Sequence, residues 1–146
     1  MASSLHEQVV ARVQLVLLVA ETDAEDRVQR GRTDTPAVDD TPNTNVRRGE
    51  GAIEPFADQI DASSVQFTTE HWASGDEWEA DADALHMQSH AAIVSDTVLA
   101  ELVSGLRCIA TDTQGAAAQV PIGRVSATYR AQALVSQRDL TRHFNT

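Results

Sequence analysis

Two periods of apolar residues run along this chain, and the change from one to the other marks its elements. From Leu5, apolar side chains recur at Val9, Val13, Val16, Leu17 and Ala20, the spacing of one helical face. Ser4 precedes that run and Glu7 follows three residues on, the spacing of a capping box. Val10, Leu18 and Val19 widen the apolar surface beyond one stripe. This predicts a first helix buried on more than one side, under a sheet or at a subunit contact. Across residues 65–72 the period falls to two: Val65, Phe67, Thr69 and His71 share the core face, and Gln66, Thr68, Glu70 and Trp72 the other. Ser74, Gly75 and Asp76 form a turn into a helical pattern over about 78–94. There Trp78, Ala82, Leu85, Ser89, Ala92 and Ile93 fall in a narrow arc. Asp96 caps a short helix over 98–103 that Gly105 stops, and 107–111 reads as a strand. Residues 124–135 alternate most clearly. Val125, Ala127, Tyr129, Ala131 and Ala133 point inward, and Arg124, Ser126, Thr128, Arg130 and Gln132 outward.

Between these elements the pattern weakens. Residues 27–32 and 46–48 read as short polar edge strands. The Thr, Asp, Asn and two prolines between 33 and 45 predict one long loop, and Gly49 through Pro55 to about Asp61 a second. Residues 113–119 read as a flexible loop, and a polar, mobile tail begins near 136. The sum is a single domain over 1–146 of α+β class. It is a mostly antiparallel sheet with an N-terminal helix and a long central helix packed on one face. An apolar content of 42% is enough for an ordinary core.

Charge changes the picture more than composition does. The net charge of −11 excludes a general nucleic-acid binder, which needs a dominant basic surface. All eleven basic residues are Arg, none lies between Gly49 and Leu106, and that interval holds twelve acids. An acidic middle with basic flanks suits contact between copies of the chain. The candidate contact residues are Arg27, Arg30, Arg32, Arg47 and Arg48 on one side and Glu70, Glu77, Glu79, Asp81 and Asp83 on the other. The competing reading is a set of solvated edge-strand and helix charges that deter aggregation.

Candidate chemistry is thin. Glu79, Asp83, His86 and His90 lie at i, i+4, i+7 and i+11 on the long helix, with ligand types suited to a divalent metal. The alternative is the polar flank of an amphipathic helix, its acids near the N-terminus. HExxH, GxSxG and a phosphate-cradling glycine loop are all missing, so no catalytic, metal-binding or cofactor-binding residue is assigned. The lone Cys108 excludes an intrachain disulfide and reads as a buried thiol. The apolar run at 13–20 is too short to span a bilayer and lacks a positive leader, so no membrane segment or signal peptide is expected.

The order of features resembles the phage tail terminator family, the lambda-type minor tail protein U and its relatives. The likeness runs over about residues 4–135. It is carried by the start Leu5-His6-Glu7-Gln8-Val9, a strand ending Arg30-Gly31-Arg32, and Asp39-Asp40-Thr41-Pro42 leading to Val46-Arg47-Arg48-Gly49. It continues through Phe67 to Trp72, the Trp78 helix, Ser95-Asp96 opening a Leu-rich turn, Gly105-Leu106-Arg107 and the final alternating strand. It is a likeness of pattern, weakest over 33–61. The resemblance implies a non-enzymatic structural protein, made in the host cytoplasm and placed at the head-proximal end of the virion tail. It would form a ring, a hexamer in the family, that caps the tail tube, stops its polymerisation and presents a surface for head attachment. The implied partners are further copies of the chain, the tail tube protein and a head–tail connector or neck protein. Other readings are a different head–tail joining or tail-completion protein, a monomeric binding module, or a metal-dependent hydrolase.

Overall fold

A computed structural model describes residues 3–116, 118–141 and 143–144. The elements run α1 (Leu5–Val19), β1 (Val28–Arg30), a 3-10 turn (Val38–Asp40), β2 (Asn43–Ala57), β3 (Ile60–Ser74), α2 (Trp78–Ser95), α3 (Thr97–Leu102), β4 (Ser104–Ala116), β5 (Ile122–Ser136) and β6 (His143–Phe144). The strands form one sheet in the order β1-β2-β3-β5-β4, with β6 pairing onto the far end of β5. Every pairing is antiparallel except β1 with β2. The class is α+β, with α1 and α2 packed on one face.

The core lies between that face and the helices. Val65, Phe67, Ala127, Tyr129 and Ala131 point inward from β3 and β5 and meet Leu5, Val9, Val13 and Leu17 of α1 and Leu85 and Ile93 of α2. The rings of Phe67 and Tyr129, opposite each other in register, stack with centroids 5.0 Å apart. The Ser4 hydroxyl caps α1 by accepting from the Glu7 N–H at 3.2 Å. The Glu7 carboxylate does not complete the capping box, because it turns instead to Arg30. Leu15, Leu18 and Val19 remain exposed, so α1 buries a single broad face. Asp96 caps α3 as expected, accepting from the Leu99 N–H at 2.9 Å. It also holds Arg12 of α1 through two charge-assisted bonds of 2.8 and 3.0 Å.

Five further sequence expectations are corrected. The second loop, 49–61, is the hairpin of β2 and β3, two strands of fifteen residues each. Gly49, Gly51 and Pro55 hide it in the sequence, and the β2 arm is exposed along residues 47–57, so no apolar alternation marks it. The first loop, 33–45, gives its last three residues to β2 and its middle to the 3-10 turn. The loop expected at 113–119 is strand as far as Ala116, registered on β5. The polar tail is tied in: the Leu5 N–H donates to the Leu140 carbonyl at 2.9 Å, and β6 pairs with Leu134 and Val135. Gly105 does not stop α3. The helix ends at extended Val103, and Gly105, at φ +64°, sits in an irregularity of β4 between Ser104 and Arg107.

Trp78 anchors the start of α2 through an absence of side chains. Its indole covers the paired Gly115 and Gly123 at the β4–β5 end of the sheet, where a Cβ on Gly123 would lie 2.3 Å from the ring and one on Gly115 2.6 Å. We therefore expect Gly123→Ala to lower stability by about 1–3 kcal/mol through overpacking. Chemical denaturation of Gly123→Ala, Trp78→Leu and their double variant checks this. The double variant should lose less than the sum of the singles, because the smaller side chain relieves the clash.

Candidate assembly surfaces

The face of the sheet away from the helices is polar and carries two ion pairs that share one carboxylate. At its centre lies Glu70, 4% exposed. Its Oε2 accepts from Arg124 at 2.6 Å and lies 3.5 Å from Arg47, while Oε1 accepts from Asn45 Nδ2 at 2.8 Å. Register explains the meeting, since Asn45 on β2 and Ser126 on β5 flank Glu70 directly, and Arg47 and Arg124 stand one step away on the same face. Asn45 also bonds both ways with the backbone of Arg32, fixing the chain after β1. The Arg124 guanidinium lies 5.5 Å from the centroid of Trp72, a cation–π contact.

A second carboxylate organises the α1 side. Glu7 makes a bidentate pair with Arg30 and lies 3.6 Å from Arg48. The hydrogen bond from Arg30 holds the Glu7 carboxyl below its ordinary value, and Arg12 does the same for Asp96. Arg27 donates to the Pro42 carbonyl at 2.7 Å and pairs with Glu25 at 3.4 Å. Arg32 pairs with Asp34 at 3.1 Å and bonds Gln29 at 2.8 Å. All five arginines of the expected basic patch, and Glu70 of the expected acidic one, thus have partners within the chain.

The remaining acids behave differently. Glu77, Glu79, Asp81 and Asp83 are exposed along the first turns of α2, and none has a salt bridge among the described residues. The stripe Glu79, Asp83, His86 and His90 divides: the acids face solvent, His86 is buried, and His90 turns inward to the Tyr129 hydroxyl at 2.9 Å. His71 of β3 joins the two helix histidines, with centroids 5.5 Å from His71 to His86 and 6.0 Å from His86 to His90. Among the described residues no group of three or more His, Cys, Asp or Glu is arranged to hold a metal ion. Burial, with a smaller contribution from His86, pushes His71 down to about 3. Burial, then His90, lowers His86 against the opposing pull of Asp83. The column is thus a packing element wedged between helix and sheet. Cys108 is half-buried rather than fully enclosed.

Two features escape the sequence. The first is a pair of arginines, Arg107 on β4 and Arg130 on β5, directly opposite each other, both exposed and without an acid among the described residues. Like charges in register repel, and only the strand pairing brings them together. The second is the state of the sheet's edges. No described strand pairs with the outer side of the thirteen-residue β4. At the other edge β1 covers only Thr44 to Val46 of β2, leaving the exposed arm at 47–57 open.

No protein-family model matches the chain, and no curated protein matches it. Among solved structures it is similar to a chain in a structure described as the virion of a native gene transfer agent particle. The two share 13% identity over 88% of this chain and 90% of that one, with a TM-score of 0.46.

Two expectations follow from this geometry. Glu70→Gln keeps the shape but leaves Arg124 and Arg47 without their counter-charge, and should cost about 2–3 kcal/mol by urea denaturation at neutral pH. The second concerns acid. The unfolded chain protonates His71 below its ordinary value of 6.5, while the folded chain resists down to about 3. This contribution to stability is therefore complete above pH 6.5 and lost as pH falls toward 3. His6 and His86, also lowered, add to the same slope. Melting curves between pH 7 and pH 5, above the range of the paired carboxylates, should show stability falling with acid. His71→Gln should flatten that slope, and an unchanged slope would remove His71 as a cause.

Proposed function

We propose that this chain is a structural virion assembly protein that associates with copies of itself, head to tail, into a ring like that of a phage tail terminator. In this reading the ring caps the tail tube, stops its polymerisation and offers a surface to which the head attaches, and the protein performs no catalysis. The observation that carries it is a pair of long strand edges unpaired among the described residues, β4 on one side of the sheet and the β2 arm on the other. Exposed edges invite further strands. Two different edges on opposite sides favour a heterologous contact, which gives a ring where its rotation closes, over a two-fold dimer. The unpaired acids Glu77, Glu79, Asp81 and Asp83 supply a separate charged surface for the tail tube or a head–tail connector. The order of sequence features adds its resemblance to the tail terminator family.

Light scattering and negative-stain microscopy of the purified protein at micromolar concentration test the ring, and the expected result is a closed annular particle, a hexamer on the family's pattern. Deletion from a producing virus then separates the role from that of other neck proteins. Loss of a terminator gives over-long tails, whereas loss of a joining protein gives tails of normal length that fail to attach to heads.

A further inference from the structure

We propose that the contact joining neighbouring copies is an extension of the sheet: the start of β4 of one copy pairs with the β2 arm of the next, locked by Arg107 and Arg130 against Glu50 and Glu54. This rests on the self-assembly reading above and names its interface. Strand direction permits the pairing. From β2 to β3 to β5 to β4 each step is antiparallel, so β4 runs opposite to β2. A second copy placed beside the first in the same orientation therefore meets β4 with an antiparallel strand.

The register sets which residues meet. One row of the sheet runs Arg107–Arg130–Gln66 and reaches β2 at the irregularity between Arg48 and Gly51, where Glu50 lies. The next row on the same face runs Ser104–Gln132–Ser64–Ala52. A neighbour at the same height thus brings residues 47–52 against residues 104–110. Arg107 is then level with Glu50, with Glu54 farther along the arm. Glu54 pairs with Ala62, which lies on the same face as Ser64 and Gln66, so its carboxylate is on the face that carries the two arginines.

The chemistry of the two edges is complementary. Arg107 and Arg130 face each other without an acid, and Glu50 and Glu54 are exposed without a base, among the described residues. Each edge also exposes an aliphatic side chain, Ile109 on β4 at 41% and Ile53 on the arm at 52%. A depression of about 220 Å³ at Ser104, Gly105, Arg107, Arg130, Ala131 and Gln132 leaves room for incoming side chains. The covering of Thr44 to Val46 by β1 limits the pairing at one end of the arm, and Pro55, which has no N–H, limits it at the other.

The test is a charge swap read by sedimentation and light scattering at low salt, on the full chain, with circular dichroism to verify that each variant is folded. All four side chains are exposed, so folding is expected to survive. Arg107→Glu with Arg130→Glu, and separately Glu50→Arg with Glu54→Arg, each place like charges across the seam. Each should weaken association on the order of tenfold or more. Mixing the two variants restores opposite charges at every seam and should rebuild particles with an even number of subunits. High salt should narrow the gap between wild type and variants. If the wild type assembles and either double variant assembles equally well, this contact is overturned and the self-assembly reading stands. If only the arginine variant is impaired, β4 pairs with a different surface and the arm is excluded. A wild type that stays monomeric at every concentration would overturn both.

Discussion

The structure depends on β3 being bound along both sides. Its fifteen residues pair one to one with β5, from Ile60 with Ser136 to Ser74 with Ile122. Its other side carries β2 from Asn43 to Ala57. An element held this way cannot slip by one residue without turning Val65, Phe67, Thr69 and His71 out of the core. That fixed register places Phe67 on Tyr129, Glu70 between Asn45 and Ser126, and His71 under His86. The hydrophobic layer, the ionic centre and the histidine column are consequences of a single alignment.

Burial of Glu70 shows how the acidic chain handles its charge. Taking a carboxylate out of water is costly unless partners replace the lost solvation, and Arg124, Arg47 and Asn45 do so. Glu7 and Asp96 hold α1 to the sheet and to α3 by the same means, through arginines far away in sequence. Arg12, Arg30, Arg47, Arg48 and Arg124 are thereby used within the molecule. The charges without a salt bridge among the described residues include the acids at the start of α2, the acids of the β2 arm and the arginine pair of β4 and β5. They lie on different surfaces of one sheet and its helix layer, a distribution suited to contacts that join unlike patches. The strand edges follow the same logic, since among the described residues the outer side of β4 and the β2 arm have no further strand beside them.

Elements with one buried face were legible in the sequence, because burial imposes a period. α1, α2, α3, the middle of β3 and β5 all announce themselves in this way, and so does the Asp96 cap, a local bond between a carboxylate and an N–H three residues on. The arm of β2 and the far half of β4 were not legible, because both lie largely in solvent and their order comes from strands contributed by other parts of the chain. Among the charges, the exposed acids of α2 could be placed from helical spacing alone. The fate of Arg30, Arg47, Arg48 and Glu70 could not, because their partners are set by which strands are neighbours and by where α1 lies on the sheet.

The sequence by itself determined the α+β class, the inward face of each core element and the separation of acidic from basic segments, since each is a matter of local spacing and composition. Only the tertiary structure decided which charges neutralise one another, that Arg107 faces Arg130, and that the sheet ends in two open edges. The reason is physical: pairing, burial and charge compensation are relations between residues tens of positions apart, and strand register with the docking of the helices decides which of them meet.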